Sequence, residues 1–285
     1  MDFWSFLAST LLLGIQEAAP LVLAAIGFTL IFRLNGFINV AFSESITIGA
    51  FIGVALNSLG WNIYVSMIPS AIAGGVLSVL SYLAFYRPAL QRGVGKGEMI
   101  ILSVGVSYLL RHLIKIIWGN DTLFYNSPGT QSIKVLGVGV TNLNMVAIGL
   151  IIVTAVAITL FMYRTSYGEK MRALADNEDL AKSSGVNPLA TSVLIWFVAG
   201  LAAGVAGAFI GMRLFVSAYI GWDQILIIIM VTIVGGIGSV KGAIIAAFCV
   251  GIVQMGIALQ LNTYYAIIAL LIAFILALKF RKEKV

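Results

Sequence analysis

Nine stretches of this chain are apolar for long enough to be weighed as membrane spans: roughly 9–32, 38–57, 62–86, 99–118, 142–163, 190–212, 222–235, 243–260 and 263–280. A helix needs about 20 apolar residues to cross a bilayer, and most of these stretches meet that length. This feature constrains the fold more than any other. Of the 285 residues, 61% are hydrophobic and only 10% are charged, against about 25% charged in a soluble domain. The mean hydropathy of +1.06 agrees. One soluble core could not hide so much apolar surface. A disulfide scaffold is excluded by the single cysteine, Cys249, and a disordered chain by the apolar richness. The segments use Leu, Ile, Val, Ala and Gly without two-residue alternation, so helices are predicted over an outer-membrane barrel. The expected fold is all-α: a polytopic helical membrane protein of about eight to nine helices. The second segment carries Ser43, Glu44, Ser45 and Thr47, and the seventh, 222–235, is short. Either one is open to being broken or re-entrant.

Basic residues set the expected orientation. Thirteen of the seventeen Lys and Arg fall on one set of linkers, from Arg33 through Arg87, Arg164 and Arg172 to Lys284. Arg111, Lys115, Lys134 and Arg213 fall on the other. This bias predicts an external N-terminus and a cytoplasmic C-terminus. Trp4, Trp61, Trp118 and Trp222 lie at the predicted outer boundary, where indoles prefer to sit. The first segment has no basic n-region and no cleavage site, so it is expected to remain as a helix. The overall basic balance is read as topology, and no nucleic-acid partner is expected.

Two polar stretches interrupt the apolar pattern. The outer one, Gly119–Thr141, contains Asn126, Pro128, Gly129 and Gly137 and reads as an irregular external loop, a connector or a docking surface. The inner one, Arg164–Pro188, holds Met171, Leu174 and Leu180 among many charges. Arg172 with Asp176, and Glu178 with Lys182, are four residues apart and are expected to support an exposed helix. Gly185 then supplies the stop, with Pro188 beyond. A bare connector needs no built helix, so this segment is a candidate docking element for a cytoplasmic partner.

Charge at membrane depth costs roughly 2.5–3.5 kcal/mol on insertion scales and usually marks function. Glu17 lies in the first segment, before Pro20, either protonated or paired with a base. Asn39, Ser43 and Thr47 step by four, with Glu44 one position off their face; they are candidates for a substrate pathway or for helix-to-helix hydrogen bonds. Arg111 and Lys115 share a face near Trp118 and are expected to snorkel to the outer interface. His112 is a candidate proton carrier or a packing histidine. Gly200, Gly204, Gly207 and Gly211 are spaced for close helix packing, as are Gly49 and Gly53. No catalytic constellation and no metal-ligand spacing is present. Gly93-Val-Gly-Lys-Gly-Glu98 fails as a phosphate loop, because the first glycine and the Ser or Thr after Lys96 are missing.

Four passages together resemble the permease subunits of ATP-binding-cassette importers for branched-chain amino acids. Ile26-Gly-Phe-Thr-Leu-Ile-Phe32 with Gly36-Phe-Ile-Asn-Val-Ala-Phe-Ser-Glu44 resembles the family's passage ending INFAHGE. Tyr86-Arg-Pro88 resembles its YRP loop. Gly168-Glu-Lys-Met-Arg-Ala173, Asn177 and Gly185-Val-Asn187 resemble the loop that meets the ATPase. Gly235-Gly-Ile-Gly-Ser239 with Gly242-Ala243 resembles GGxGSxxGA. The passages cover roughly residues 22–257 in the family's order. The chain departs from the pattern where Val40-Ala-Phe-Ser-Glu44 replaces the histidine and glycine of FAHGE. It departs again at Glu17-Ala-Ala-Pro20-Leu-Val-Leu23, which is closer to nucleoside and sugar permeases.

The resemblance implies that residues 1–285 form a single transmembrane permease domain with a cytoplasmic coupling loop at about 164–189. It implies a place in the bacterial or archaeal plasma membrane and no enzymatic activity. The implied partners are a homologous second permease, two ATP-binding subunits and an external substrate-binding protein. The chain itself carries no cofactor, and ATP belongs to the partners. The implied cargo is a branched-chain or other hydrophobic amino acid, with urea or amides, aromatic acids and nucleosides as alternatives. Coupling falls to Gly168, Glu169, Arg172, Ala173, Asp176, Asn177 and Gly185, and substrate passage to Asn39, Ser43, Glu44, Thr47 and Glu17. A rival class is a proton-coupled secondary transporter using Glu17, Glu44 or His112; a channel is disfavoured by the missing filter.

Overall fold

A computed structural model describes residues 3–126, 132–135, 138–236 and 238–280. The order is α1 (Phe3–Asn35), α2 (Phe42–Ser58), α3 (Met67–Ser81), a π turn (Tyr82–Tyr86), α4 (Arg87–Gln91), α5 (Lys96–Trp118), β1 (Ser132–Val135), β2 (Val138–Thr141), α6 (Asn142–Arg164), α7 (Ser166–Asp176), α8 (Glu178–Ser183), α9 (Pro188–Arg213), α10 (Ile220–Gly235), α11 (Val240–Gln260) and α12 (Thr263–Phe280). The end carrying β1 and β2 is called the hairpin end, and the end carrying α7 and α8 the loop end.

Helix length follows the apolar runs. Among the described residues, five helices are long and apolar enough to cross a membrane: Phe3–Asn35, Met67–Gln91, Lys96–Trp118, Pro188–Arg213 and Val240–Gln260. The stretch Ile148–Arg164 is a sixth when taken with Ser166–Asp176, to which it is bent by 71°. The second and seventh apolar stretches form helices of 17 and 16 residues, α2 and α10. Each follows a long central helix with an Arg-Leu pair near its end, Arg33-Leu34 in the last turn of α1 and Arg213-Leu214 at the boundary of α9. Gly36, at φ 70°, turns the chain out of α1.

The helices divide by surroundings. In both α1 and α9, 72% of the most apolar window is buried inside the protein, whereas α5 buries 28% and α11 22%. A helix apolar all round belongs in the middle of a bundle, and these two occupy it. Pro20 costs α1 one hydrogen bond but no break, and its chain neighbours Ala18, Ala19, Leu21 and Val22 are buried. Glycines set the closest approaches. A Cβ on Gly200 would lie 2.4 Å from the Gly74 carbonyl, on Gly204 2.2 Å from that of Ser70, and on Gly207 1.9 Å from that of Ile46. So α9 lies backbone to backbone against α3 and α2. Gly211 meets the Val216 side chain at the hairpin end.

The π turn places Tyr82 and Tyr86 in stacked contact with Trp196 of α9, both at 5.1 Å between ring centres. Trp196 Nε1 donates to Asn35 Oδ1 at 3.1 Å.

Two described parts of the Gly119–Thr141 stretch are regular. Ser132 pairs with Thr141 and Val135 with Val138 in an antiparallel hairpin, and Leu123 bridges to Val216. Residues 127–131, 136 and 137, with Pro128, Gly129 and Gly137, lie outside the described residues, as do Ile237 and the C-terminal basic residues beyond Phe280.

Candidate functional site

Three clusters carry the polar chemistry. The first surrounds Glu44 in the first turn of α2. Its carboxylate is fully buried, and Oε1 accepts from Arg111 Nη2 at 2.7 Å, Ser107 Oγ at 2.8 Å and Ser43 Oγ at 3.1 Å. Arg111 is not at the interface as snorkelling predicts. It is turned inward, with its side chain 3% exposed. The α5 face carrying Ser103, Ser107 and Arg111 is buried, and a buried cation is held by a buried anion. The guanidinium also lies 4.3 Å from the centre of the Trp222 ring, with Tyr219 and Tyr108 at 5.4 and 5.6 Å, a cation–π cage that supplements one carboxylate. Among the described residues, Glu44 Oε2 and Arg111 Nε have no hydrogen-bond partner.

The other pathway candidates are enclosed beside this pair. Asn39 lies in the irregular stretch before α2 rather than within it, and its Oδ1 accepts from Tyr86 OH at 2.8 Å. Ser43 Oγ donates to the Val40 carbonyl, and Thr47 Oγ1 donates to the Ser43 carbonyl while accepting from Gly221 N. Lys115 reaches the surface and donates to Tyr219 OH at 2.8 Å. His112 is exposed, with Nδ1 2.7 Å from the Tyr108 carbonyl oxygen.

The second cluster is at the hairpin end. Glu17 Oε1 accepts from Arg213 Nη2 at 2.7 Å, and Arg213 Nη1 also donates to the Gln16 carbonyl at 3.3 Å. Here the side chains are 33% and 16% exposed for Glu17 and Arg213. They open on a cavity of about 410 Å³ between α1, α9, α10, α11 and α12. Glu17 lines it; Asn39, Ser43, Glu44 and Thr47 do not. Arg213 is a site residue that reading the linkers did not single out.

The third cluster fastens the Arg164–Pro188 loop to the bundle. Thr165 caps α7 by accepting from Gly168 N, and Asn177 caps α8 by accepting from Leu180 N. The expected single helix is therefore two, broken at Asn177. Gly168 sits against the last turns of α6, where a Cβ would lie 2.0 Å from the Met162 carbonyl. Arg172 donates to that same carbonyl. It does not pair with Asp176, as the four-residue spacing suggested; Asp176 pairs with Arg33 of α1 at 3.4 Å. The Glu178–Lys182 pair is present at 2.8 Å. Met171 and Leu174 are buried beneath α7, leaving Glu169, Lys170, Ala173, Asp176 and Asn177 exposed. Gly185, at φ 82°, ends α8, and Asn187 caps α9. Among the described residues no group of three or more His, Cys, Asp or Glu could hold a metal ion.

Long apolar helices around two enclosed central ones, with a charged helical loop tied to one end, define a polytopic helical membrane permease. The family model for the branched-chain amino acid transport system / permease component matches residues 10–278, and the chain belongs to that family. The protein named "Probable branched-chain amino acid transport permease protein LivH" of Methanocaldococcus jannaschii is 25% identical over 253 residues, covering 86% of this chain and 78% of that one. The nucleoside ABC transporter permease protein NupC of Lactococcus lactis is 24% identical over 201 residues, covering 67% and 63%. In the solved structure of PsaBC from Streptococcus pneumoniae in complex with Fab, one chain matches with a TM-score of 0.55 and 17% identity, covering 99% of this chain and 94% of that one. At that identity the likeness is one of fold.

Proposed function

We propose that this chain is the membrane permease subunit of an ATP-driven importer for branched-chain or other hydrophobic amino acids. Family membership over residues 10–278 carries the reading. The fastening of α7 supports its mechanism. An exposed helix that shares a carbonyl contact with α6 and an ion pair with α1 can pass a push from a partner into two membrane helices. Separate ATPases would supply that push at the Glu169, Ala173 and Asn177 face. The chain would assemble with a second permease, and an external binding protein would deliver cargo at the hairpin end, with the N-terminus outside. Passage would follow alternating access. Asn39, Ser43, Glu44 and Thr47 would hold the fixed α2–α5 wall beside the route, and Glu17 would lie on the cavity at its outer end.

Nucleosides remain the second reading of cargo, since a nucleoside permease matches two thirds of the chain. Purification by a tag on this chain tests the assignment: an ATP-binding subunit is expected to co-purify, and its absence would contradict the proposal. Arg172→Glu is expected to abolish uptake with membrane insertion intact, because it removes the contact with the Met162 carbonyl and places a carboxylate there. Unchanged uptake in that variant would remove the coupling role.

A further inference from the structure

The hairpin-end cavity contains more charge than its own stability requires. Glu17 and Arg213 already satisfy each other across it. A third charged group, Asp223 in the first turn of α10, also lines it, and among the described residues its carboxylate has no cation within salt-bridge distance. Among the charged side chains that line the cavity, two carboxylates face one guanidinium; the Arg111 guanidinium, stacked on the neighbouring Trp222, acts on Asp223 from outside the lining and is itself paired with Glu44. The side-chain amides of Gln224 and Gln254 line the same space and make no hydrogen bond to described residues. Apart from Thr263, the remaining wall is apolar, with Leu21, Ile210, Ile227, Met255 and Leu259. At about 410 Å³ the space sits at the small end of the roughly 300–1,000 Å³ typical of small-molecule pockets.

We propose that this cavity binds one free α-amino acid with an apolar side chain, its carboxylate on Arg213 and its ammonium between Glu17 and Asp223. The inference rests on the importer reading above and adds a binding site within this chain. The chemistry favours a zwitterion over a simple ion. A lone anion entering the pair would strip Arg213 from Glu17 and leave a carboxylate unpaired, and a lone cation would do the reverse. A molecule carrying both charges on one carbon exchanges partners with the pair and leaves every charge neutralised, which matters where the dielectric is low. The carboxylate of Asp223 then shares the ammonium, and the amides satisfy remaining donors and acceptors. The apolar wall takes the side chain, so leucine-sized cargo suits the site and polar amino acids do not.

The test uses the purified full chain in lipid nanodiscs with radiolabelled L-leucine as the probe. Saturable binding is expected, competed by isoleucine but not by isocaproate, which lacks the ammonium, or by isoamylamine, which lacks the carboxylate. Arg213→Gln and Glu17→Gln should each weaken binding about ten- to hundredfold, the value of a charge-assisted hydrogen bond. Asp223→Asn disturbs no described contact that holds the fold, and should weaken binding less. Leucine uptake by the intact importer that proceeds normally in all three variants, with no leucine bound to the chain, would overturn the inference and leave the importer reading intact. Arg213-dependent retention of phosphatidylethanolamine in place of leucine would overturn it in favour of a lipid headgroup. An importer that takes up no hydrophobic amino acid, wild type included, would defeat the importer reading itself.

Discussion

Two carboxylate–guanidinium pairs in this protein share a bond length of 2.7 Å and differ in everything around it. Glu44 and Arg111 are closed off, with serine hydroxyls on one side and Trp222 on the other. Glu17 and Arg213 face a cavity. At equal separation, the two pairs differ in how much of each lies open to a cavity. A sealed pair cannot be solvated when broken, so it locks α2 to α5. A pair at the edge of a cavity can trade partners with a ligand at low cost.

The largest expected effect breaks the sealed pair. Arg111→Leu leaves Glu44 buried without its cation and is expected to cost about 3–5 kcal/mol, whereas Glu44→Leu with Arg111→Leu should recover most of that loss. Thermal unfolding in detergent measures both. A single substitution no worse than the double would dissolve the contrast.

A middle effect is expected just below the sealed pair. Gly207→Ala places a methyl 1.9 Å from the Ile46 carbonyl, two residues beyond Glu44 in α2. Such overpacking costs about 1–3 kcal/mol. Gly105→Ala, with open space around it, should cost nothing and gain slightly from helix propensity. The same unfolding assay separates the two.

For the open pair, Arg213→Leu is expected to cost less than Arg111→Leu, about 1.5–3 kcal/mol, the value of a charge-assisted hydrogen bond, since the Glu17 carboxylate left behind still faces the cavity. A loss as large as that of Arg111→Leu would show that the second pair is structural too.

The smallest effect belongs to the exposed Glu178–Lys182 pair on α8. The hydrogen bond to Glu178 holds the Lys182 ammonium above the usual lysine range. A raised lysine pKa contributes stability that is present below the unfolded value and is lost only as pH rises through the folded one. Helix content of a tagged 164–188 region, followed by hydrogen exchange in the full chain, should therefore be flat from about pH 6 to 9, fading only in stronger alkali. A change near neutrality would mean another group controls this loop.

How much of this was legible in the sequence depended on the range of the interaction. Apolar run length reads out locally, so the helical membrane fold was visible, together with the shortness of 222–235. The caps at Thr165, Asn177 and Asn187 are local, but the helix break at Asn177 was not foreseen, because the charge spacing alone favoured one helix. Arg111 was misread because snorkelling considers a side chain and its interface, whereas its burial depends on a carboxylate 67 residues away. The partner of Glu17 was invisible for the same reason at greater distance: Arg213 lies 196 positions along the chain. Asp176 likewise left its expected local partner for Arg33, 143 positions away. The hairpin at Ser132–Thr141 was hidden by the turn residues around it, which mark a loop without telling whether its arms pair.

The central claim is that this chain moves cargo only when a partner hydrolyses ATP against its inner loop. Proteoliposomes made from the complex captured on this chain, loaded with labelled leucine on the hairpin side, test it most directly. The account predicts accumulation that requires ATP at the loop side and is abolished in Arg172→Glu. Accumulation by the purified chain alone, driven by a proton gradient without ATP, would contradict it.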